Sequence, residues 1–300
     1  MEIIRDRVDY DGTAVALGNF DGLHVAHMTI IRNGIQYARE HKLKSGILLF
    51  EENTKGVTQG GIELITPNEA KIELLEREKP DFVFMEKFDK EFMKKSPEEF
   101  VKYLVERLHI KAVCVGYDYS FGFKALGDVA MLKDFGRQYG FEVIVTDAIK
   151  IGERIVASTY IRQVIKDGDM EEAERFLGRR YCIEGDVVKG KQNGRKMGIP
   201  TANVKYDINM ALPKEGVYAG ITYVNGGRYK SVINVGRNLT FGAEQVTVES
   251  HILGFDDDIY GKYIRVSFAK RLRNVIKFDS TDELKEQIQK DIEITEKMDL

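Results

Sequence analysis

The sequence predicts a two-domain protein, in which an α/β domain with a parallel sheet is followed by an antiparallel β-barrel and a C-terminal helix. The chain has 300 residues, more than one compact domain usually holds. Short apolar runs alternate with helical patterns in the first half, as expected for a parallel sheet covered by helices. After about residue 181 glycine becomes frequent and one strand pattern follows another, which favours an antiparallel barrel.

The first half opens with a strand, helix, strand pattern. The apolar residues 15–17 run into Gly18, a helical pattern extends from about His24 to Arg39, and the strand-like residues 46–50 follow. Such a unit places two strands side by side in a parallel sheet.

A strongly signalled helix follows the apolar strand pattern at 81–85. Ser96 is suited to cap it, Pro97 fits the first helical position, and Glu99 completes a capping box. Three apolar residues then recur on one face: Phe100, Leu104 and Leu108. Two more strands are predicted at 112–115 and 141–145, with a helix between them that Gly140 ends.

The second half reads as strands joined by turns. The apolar residues 216–224 precede Asn225 and Gly226, a dipeptide typical of a hairpin turn. Three further strands are predicted at 229–234, 246–253 and 263–268.

The chain ends in a predicted helix. Residues 280–283 suggest a second capping box, and Leu284, Ile288 and Ile292 share one face that should dock on the barrel. The pattern changes near 177–181. We therefore predict a first domain at 1–180 and a second at 181–300.

Composition excludes several classes of protein. Lys and Arg total 45 against 48 Asp and Glu, and a net charge of -3 disfavours nucleic-acid or anionic membrane partners. The first seven residues are too charged for a secretory signal, and no apolar run approaches the roughly 18 residues of a membrane span. We expect a cytoplasmic protein in which Cys114 and Cys182 are buried reduced thiols. No feature specifies an oligomeric state.

The glycine-rich segment 185–203 is the candidate site of the second domain. Its glycines at 190, 194 and 198 let backbone amides approach phosphate, and positive charge surrounds them. The basic residues are Lys189, Lys191, Arg195 and Lys196. Taken alone, these residues fit a glycine-rich hairpin with solvated lysines as well as a polyphosphate site.

The whole string closely resembles the flavokinase signature, a glycine-rich loop that runs into Gly-x-Pro-Thr-Ala-Asn. The resemblance implies a β-barrel riboflavin kinase that uses ATP and Mg²⁺, with Thr201 and Asn203 beside the phosphates and the metal ion. It also implies nucleotide contacts from four residues of the loop: Gly190, Lys191, Gly194 and Arg195.

The resemblance extends over the second domain, through segments 213–219, 234–236, 247–249, 255–261 and 272–273. Glu249 matches the general base that accepts a proton from the riboflavin hydroxyl during phosphoryl transfer. On spacing alone, a strand glutamate is more often a solvent-facing residue. The resemblance implies flavin contacts for Tyr260 and Arg273. One departure lies at 237–241, where the family usually has Arg-Pro before its Thr-Phe pair.

The candidate site of the first domain follows its first strand. Residues 18–27 read Gly-Asn-Phe-Asp-Gly-Leu-His-Val-Ala-His and open a helix, so backbone amides and the helix dipole can meet phosphate. His24 and His27 share a face. The residues alone leave open a zinc pair, for which no third ligand is evident, and ordinary surface histidines.

This segment resembles the Gly-x-Phe-Asp-Gly-x-His-x-Gly-His motif of the Rossmann-like nucleotidyltransferase module in bacterial bifunctional FAD synthetases. The resemblance implies that His24 and His27 stabilise the transition state as FMN attacks the ATP α-phosphate. It implies nucleotide contacts for Gly18, Phe20, Asp21, Gly22, Ser158, Thr159 and Arg162. It implies flavin contacts for Asp118 and Phe121.

Several positions depart from that module. Ala26 replaces a glycine, Ala157 a serine and Tyr117 a common aspartate, and residues 51–54 stand where Pro-His-Pro usually follows Phe50. The main prediction is a bifunctional enzyme that converts riboflavin to FMN and then FAD. The alternative is a monofunctional riboflavin kinase whose degenerate first domain is a flavin- or RNA-binding regulatory module.

Overall fold

A computed structural model describes residues 1–51, 63–190, 192–240 and 243–300, without the side chains of 193, 196, 238–240 and 243–245. The chain divides into two compact units, Met1–Ser158 and Thr159–Leu300. None of the helices in these ranges combines the length and the hydrophobicity that a bilayer crossing requires.

The first unit is built on a six-stranded sheet. Its strands are β1 (Glu2–Ile4), β2 (Thr13–Leu17), β3 (Lys44–Phe50), β4 (Phe82–Glu86), β5 (Ile110–Gly116) and β6 (Glu142–Thr146). Their order is β1-β4-β3-β2-β5-β6, and every neighbouring pair is parallel. The predicted parallel sheet is confirmed. A small hairpin follows β6, formed by β7 (Lys150–Ile151) and β8 (Arg154–Ile155).

Helices accompany this sheet: α1 (Val25–Glu40), α2 (Asn68–Glu76), α3 (Pro97–Leu108) and α4 (Val129–Tyr139). Alternate residues of β2 enter two different hydrophobic clusters. Leu17 packs with Leu104 of α3, whereas Ala16 packs with Ile31 of α1. Both faces of the sheet are therefore covered, which explains the continuous apolar runs of its strands.

The predicted ends of two helices are confirmed. The Ser96 hydroxyl accepts from the Glu99 amide at 3.3 Å, and the Glu99 carboxylate accepts from the Ser96 amide at 2.7 Å. This reciprocal pair satisfies two backbone donors at the start of α3. At the end of α4, Gly140 has φ +75°, the left-handed conformation that glycine adopts without steric cost.

The strand order marks where a ligand should bind in the first unit. From β2 the chain moves to β3 and then β4 on one side, whereas β5 and β6 lie on the other side. Loops that leave the carboxyl ends of β2 and β5 therefore turn away from each other and leave a crevice. Residues 18–24 and 117–122 lie in these two loops.

The second unit is a closed barrel of six strands. They are β9 (Tyr181–Val188), β10 (Ala202–Lys205), β11 (Gly216–Val224), β12 (Gly227–Thr240), β13 (Ala243–Ile252) and β14 (Tyr263–Arg273). Every pairing is antiparallel, as predicted. Asn225 and Gly226, with φ +50° and +76°, form the predicted hairpin turn between β11 and β12.

The helices of this part are α5 (Ser158–Asp167), which begins at the division between the units, α6 (Met170–Leu177), α7 (Asn193–Lys196) and α8 (Thr281–Lys297). At the start of α8, Ser280 accepts from the Glu283 amide at 3.2 Å. The Glu283 carboxylate accepts from Asp279 instead of Ser280, so the predicted capping box is only half formed.

The most buried residues on the docking face of α8 are not the predicted apolar ones. Leu284, Ile288 and Ile292 are only half-buried, whereas Asp291 and Thr295 are buried on the same stripe. The Asp291 carboxylate forms an ion pair with Arg273 of β14, with 2.8 Å between Oδ2 and Nη2. The helix is therefore held by a charged contact as well as by apolar packing.

Both cysteines are free thiols. Cys114 lies in the core of the first unit and Cys182 is half-buried in β9. Burial raises the pKa of each thiol to about 12, so both stay protonated and unreactive at neutral pH.

Candidate active sites

The first candidate site is the loop between β2 and α1. Phe20 and Leu23 have φ +46° and +40°, which side chains rarely adopt, and Gly22 has φ +89°. Both apolar side chains are fully buried. Their packing holds the strained backbone of this loop in place.

His24 caps α1, and its Nδ1 accepts a hydrogen bond from the His27 amide at 3.3 Å. A neutral imidazole that accepts at Nδ1 carries its proton on Nε2, which is then a donor. The rings of His24 and His27 stack with centroids 3.5 Å apart, and Phe20 meets the His27 ring edge-on at 5.3 Å. The two histidines that the sequence singled out are thus brought together at a helix N-terminus.

Within the described residues, no group of three or more His, Cys, Asp or Glu side chains is arranged to hold a metal ion. The zinc alternative for His24 and His27 gains no support from the geometry.

Asp21 holds this loop to its neighbours. Its Oδ1 accepts from the Ile65 amide at 3.0 Å, and its backbone carbonyl accepts from the Ser158 hydroxyl at 2.9 Å. The structure therefore places Ser158 against this loop. Thr159 and Arg162 lie further along α5, in the second unit.

The loop after β5 contains the predicted flavin contacts. Asp118 is exposed, whereas Phe121 is buried and packs 5.6 Å from Phe100 and 5.8 Å from Tyr119 between ring centroids. Phe121 thus supports the loop from within the core. Asp118 is exposed to solvent near the carboxyl end of β5, where a ligand would lie.

The positions that depart from the nucleotidyltransferase motif are mostly accessible. Ala157 and Tyr117 are exposed and Ala26 is half-buried. The Glu51 carboxylate pairs with Arg5 at 3.3 Å, which offsets part of its repulsion for phosphate. Residues 52–54 lie outside the described residues.

The second candidate site is a pocket of about 320 Å³ beside the glycine-rich loop of the barrel. Five predicted site residues line it together: Gly190, Arg195, Thr201, Asn203 and Tyr260. Lys191 lies outside the described residues. The pocket volume falls within the range typical of small-molecule sites.

Two glycines let the loop pack closely. A Cβ on Gly190 would lie 2.6 Å from the Asn203 amide nitrogen, and one on Gly194 would lie 2.3 Å from the Ile199 carbonyl oxygen. The first contact would push the loop away from β10, and the second would open the turn within the loop itself. Glycine at 190 therefore lets the loop approach Asn203, and glycine at 194 lets the loop fold against Ile199.

Oxygen donors converge next to this pocket. Thr201 donates from Oγ1 to the Glu249 carboxylate at 3.3 Å, and Asn203 of β10 pairs in register with Glu249 of β13. A hydroxyl, an amide and a carboxylate form the kind of ligand set that Mg²⁺ accepts. The donor chemistry therefore fits the metal ion that the sequence led us to expect.

Gln192 and the acidic residues 256–258 were not assigned a role from the sequence. Gln192 donates to the Tyr260 hydroxyl at 3.4 Å, and the Lys189 ammonium lies 5.7 Å from the Tyr260 ring centroid. Asp256, Asp257 and Asp258 also line the pocket. Gln192 and Tyr260 are 68 positions apart, so only the folded chain shows that Tyr260 lies against the phosphate loop.

Arg273, a predicted flavin contact, donates from Nε to Asp291 at 2.9 Å. Its side chain is 16% exposed, so one part remains accessible while the guanidinium anchors α8.

Comparisons with known proteins found relatives of both parts of the chain. The riboflavin kinase family profile matches residues 177–298, and the FAD synthetase profile matches residues 6–160. A bifunctional riboflavin kinase/FMN adenylyltransferase from Haemophilus influenzae is 36% identical, over 94% of this chain and 92% of its own length. The Listeria monocytogenes enzyme of the same name is 33% identical, over 92% and 89%.

A crystal structure from Streptococcus pneumoniae, described as a macrolide-efflux protein, superposes with a TM-score of 0.87 and 28% sequence identity. It covers 99% of this chain and 100% of its own, so the fold is shared throughout. The two profiles, the relatives and the two sites lead to one assignment. The chain belongs to the family of bacterial bifunctional FAD synthetases, the riboflavin kinase/FMN adenylyltransferases.

Proposed function

We propose that this chain makes FAD in two steps, phosphorylating riboflavin to FMN with one ATP and adenylylating FMN with a second ATP. The observation that carries the proposal is the convergence of Thr201, Asn203 and Glu249 beside the phosphate-loop pocket. The alternative of a monofunctional kinase is not favoured, because the FAD synthetase profile matches 6–160 and the relatives named above are bifunctional.

In the kinase step, Glu249 accepts the proton of the riboflavin ribityl hydroxyl as that oxygen attacks the γ-phosphorus of ATP, and ADP leaves. The loop amides around Gly190 and the Arg195 guanidinium bind the phosphates. Thr201 and Asn203 would hold Mg²⁺, which neutralises phosphate charge when bound. Tyr260 contacts the loop and closes one side of the pocket.

In the adenylyl step, a phosphate oxygen of FMN attacks the α-phosphorus of ATP and pyrophosphate leaves. His24 presents its Nε2 donor and His27 stacks on it, so both can stabilise the charge that develops on the phosphoryl oxygens. We assign Ser158, Thr159 and Arg162 to the leaving phosphates, and Asp118 to the flavin side.

We propose that the transferase occupies 1–180 and the kinase 181–300. A cytoplasmic location is supported by the ATP requirement and by the two reduced thiols.

One assay tests both steps. The full chain is incubated with riboflavin and MgATP, and the flavins are separated by chromatography over time. We expect FMN first and FAD later. FAD should form roughly 100-fold more slowly than with the family's usual residues at these positions, because Ala26, Ala157 and the acidic residues after Phe50 each weaken transition-state binding by about 1 kcal/mol. The His24→Ala/His27→Ala variant should form FMN but no FAD. If the unmodified chain forms no FAD with excess FMN and MgATP, the adenylyl step is wrong.

A further inference from the structure

A buried lysine lies among the residues that hold the loop 18–24 of the first unit. This loop ends in His24 and is called the histidine loop below. Lys71 on α2 is 5% exposed, although lysine is seldom buried in proteins. Burial lowers the pKa of its ammonium, and the nearby Asp21 carboxylate counters this effect by favouring the charged form. A buried ammonium is costly to keep unless neighbouring groups stabilise its charge.

One side of Lys71 leads to the carboxyl end of β3. Its ammonium donates to the Asn68 side-chain oxygen at 3.3 Å. The Asn68 amide nitrogen in turn donates to the carbonyls of Phe50 at 3.0 Å and of Glu51 at 2.8 Å. Lys71 thus orients the side chain that fixes the end of this strand.

The other side of Lys71 leads to the histidine loop. Asp21, which is 3% exposed, attracts the ammonium and also accepts from the Ile65 amide at 3.0 Å. Ile65 packs against Gly22, because a Cβ on that glycine would lie 3.2 Å from Ile65 Cγ2. The residues just before α2 therefore support the loop that ends in His24.

We propose that Lys71 is a positioning residue for adenylyl transfer, because its buried ammonium hydrogen-bonds to Asn68 at the end of β3 and attracts the buried Asp21 carboxylate of the histidine loop. The inference rests on the proposed function. Lys71 acts through Asp21 and Asn68, because its own ammonium is buried away from the surface. Without it, the loop would lose its fixed distance from β3, and His24 and His27 would no longer meet the α-phosphate in one geometry.

The test compares Lys71→Met with Arg77→Met in the full chain. Arg77 follows the same helix, but its ion pair with Glu73 is exposed, so its loss should change neither activity. For Lys71→Met we expect the kcat of FAD formation from FMN to fall about 10- to 100-fold. The KM values for FMN and ATP should stay within about threefold, because binding contacts remain, and riboflavin phosphorylation should be unchanged.

A double-mutant cycle separates positioning from general destabilisation. Asn68→Ala should also lower the kcat of FAD formation, and the Asn68→Ala/Lys71→Met chain should be no slower than Lys71→Met within about twofold, since both changes break one linkage. Circular dichroism and urea unfolding confirm that each variant is folded. If Lys71→Met does not fold, Asn68→Ala alone decides.

Three results would overturn the inference. They are near-normal FAD formation by a folded Lys71→Met chain, losses that add across the cycle, and a normal Asn68→Ala chain. Failure of the proposed function is distinct, because then the unmodified chain itself forms no FAD.

Discussion

Glu249 is the residue that we propose as the general base of the kinase step. We predict that Glu249→Gln lowers the kcat of riboflavin phosphorylation about 100- to 10,000-fold, because an amide cannot accept the hydroxyl proton. The Thr201 hydroxyl can still donate to the amide oxygen, so folding should be intact. Steady-state kinetics with riboflavin and MgATP measures the effect.

Adenylylation of supplied FMN is the internal control for Glu249→Gln, since we assign that reaction to the other unit. It should proceed at the wild-type rate. Near-normal phosphorylation by the variant would remove Glu249 from its role as general base.

Glu86, at the end of β4, gives the first unit a pH-dependent stability. Desolvation is the largest cause that raises the pKa of its carboxyl to about 7, and the Tyr103 hydroxyl donates to it. The folded chain therefore keeps this proton up to about pH 7, whereas the unfolded chain loses it near 4.5. Between these values the folded state binds more protons, so the free energy of unfolding falls as pH rises.

We predict that Glu86→Gln removes this loss. Urea unfolding at pH 8 should show the variant more stable by about 1–2 kcal/mol, a figure reduced for the half-exposed position of the carboxyl. At pH 4 the two chains should be equal. Glu91→Gln is the control, since Glu91 is exposed on the following turn. Equal stability of the Glu86 variant and wild type at pH 8 would contradict the prediction.

At the residue scale, the sequence supplied candidates for the acting side chains but not the contacts that hold these side chains in place. His24, His27, Thr201 and Glu249 stand in long motifs, so a resemblance could identify them. Asp21 meets Ile65 across 44 positions, and no local pattern encodes such a contact. Lys71 was missed for the same reason, because a helical lysine reads as solvent-exposed until the fold buries it.

At the scale of elements, the sequence predicted helix ends correctly but did not predict the distant contact that docks α8. The cap of α3 and the end of α4 depend on residues within one turn, so their sequence predicts them. The α8 stripe correctly predicted a helix, yet its docking contact is Asp291 with Arg273, 18 positions earlier on β14. Apolar periodicity carries no information about that partner.

The α8 anchor gives a prediction of its own. Asp291→Ala should lower the free energy of unfolding of the second unit by about 3 kcal/mol, because it leaves the Arg273 guanidinium buried without its carboxylate. Asp291 is 2% exposed. Urea unfolding and the temperature at which kinase activity is lost measure the change.

The Asp291→Leu/Arg273→Met double variant separates the two roles of Arg273. It removes both charges, so stability should largely return. If Arg273 also contacts flavin, the KM of this variant for riboflavin is higher than that of the unmodified chain. Glu296→Ala, an exposed change on the same helix, should leave stability unaltered.

At the scale of the whole molecule, the division into two units bears on whether each activity is independent. The structural division lies after Ser158, whereas the change in sequence pattern lies near 180. The two differ because α5 and α6 have the amphipathic pattern of the first half but belong with the barrel. Phe176 of α6 is buried, and its ring centroid lies 4.9 Å from that of Tyr160 in α5. Helix α6 also packs against β9 and β14.

This arrangement makes fragments informative. We predict that residues 181–300 fold alone and phosphorylate riboflavin, because the loop, the pocket and Glu249 all lie within them. Residues 159–300 should have the same kcat but a higher free energy of unfolding, since α6 buries Met170, Ala173, Phe176 and Leu177. At about 1.5–3 kcal/mol for each large apolar side chain, discounted for loose packing at a chain end, a gain of about 2–4 kcal/mol is expected.

Urea unfolding and kinase assays on both fragments provide the measurement. A folded 181–300 fragment that is inactive while 159–300 is active would show that α5 and α6 contribute to the kinase site, and inactivity of both folded fragments would show that the kinase needs residues of the first unit.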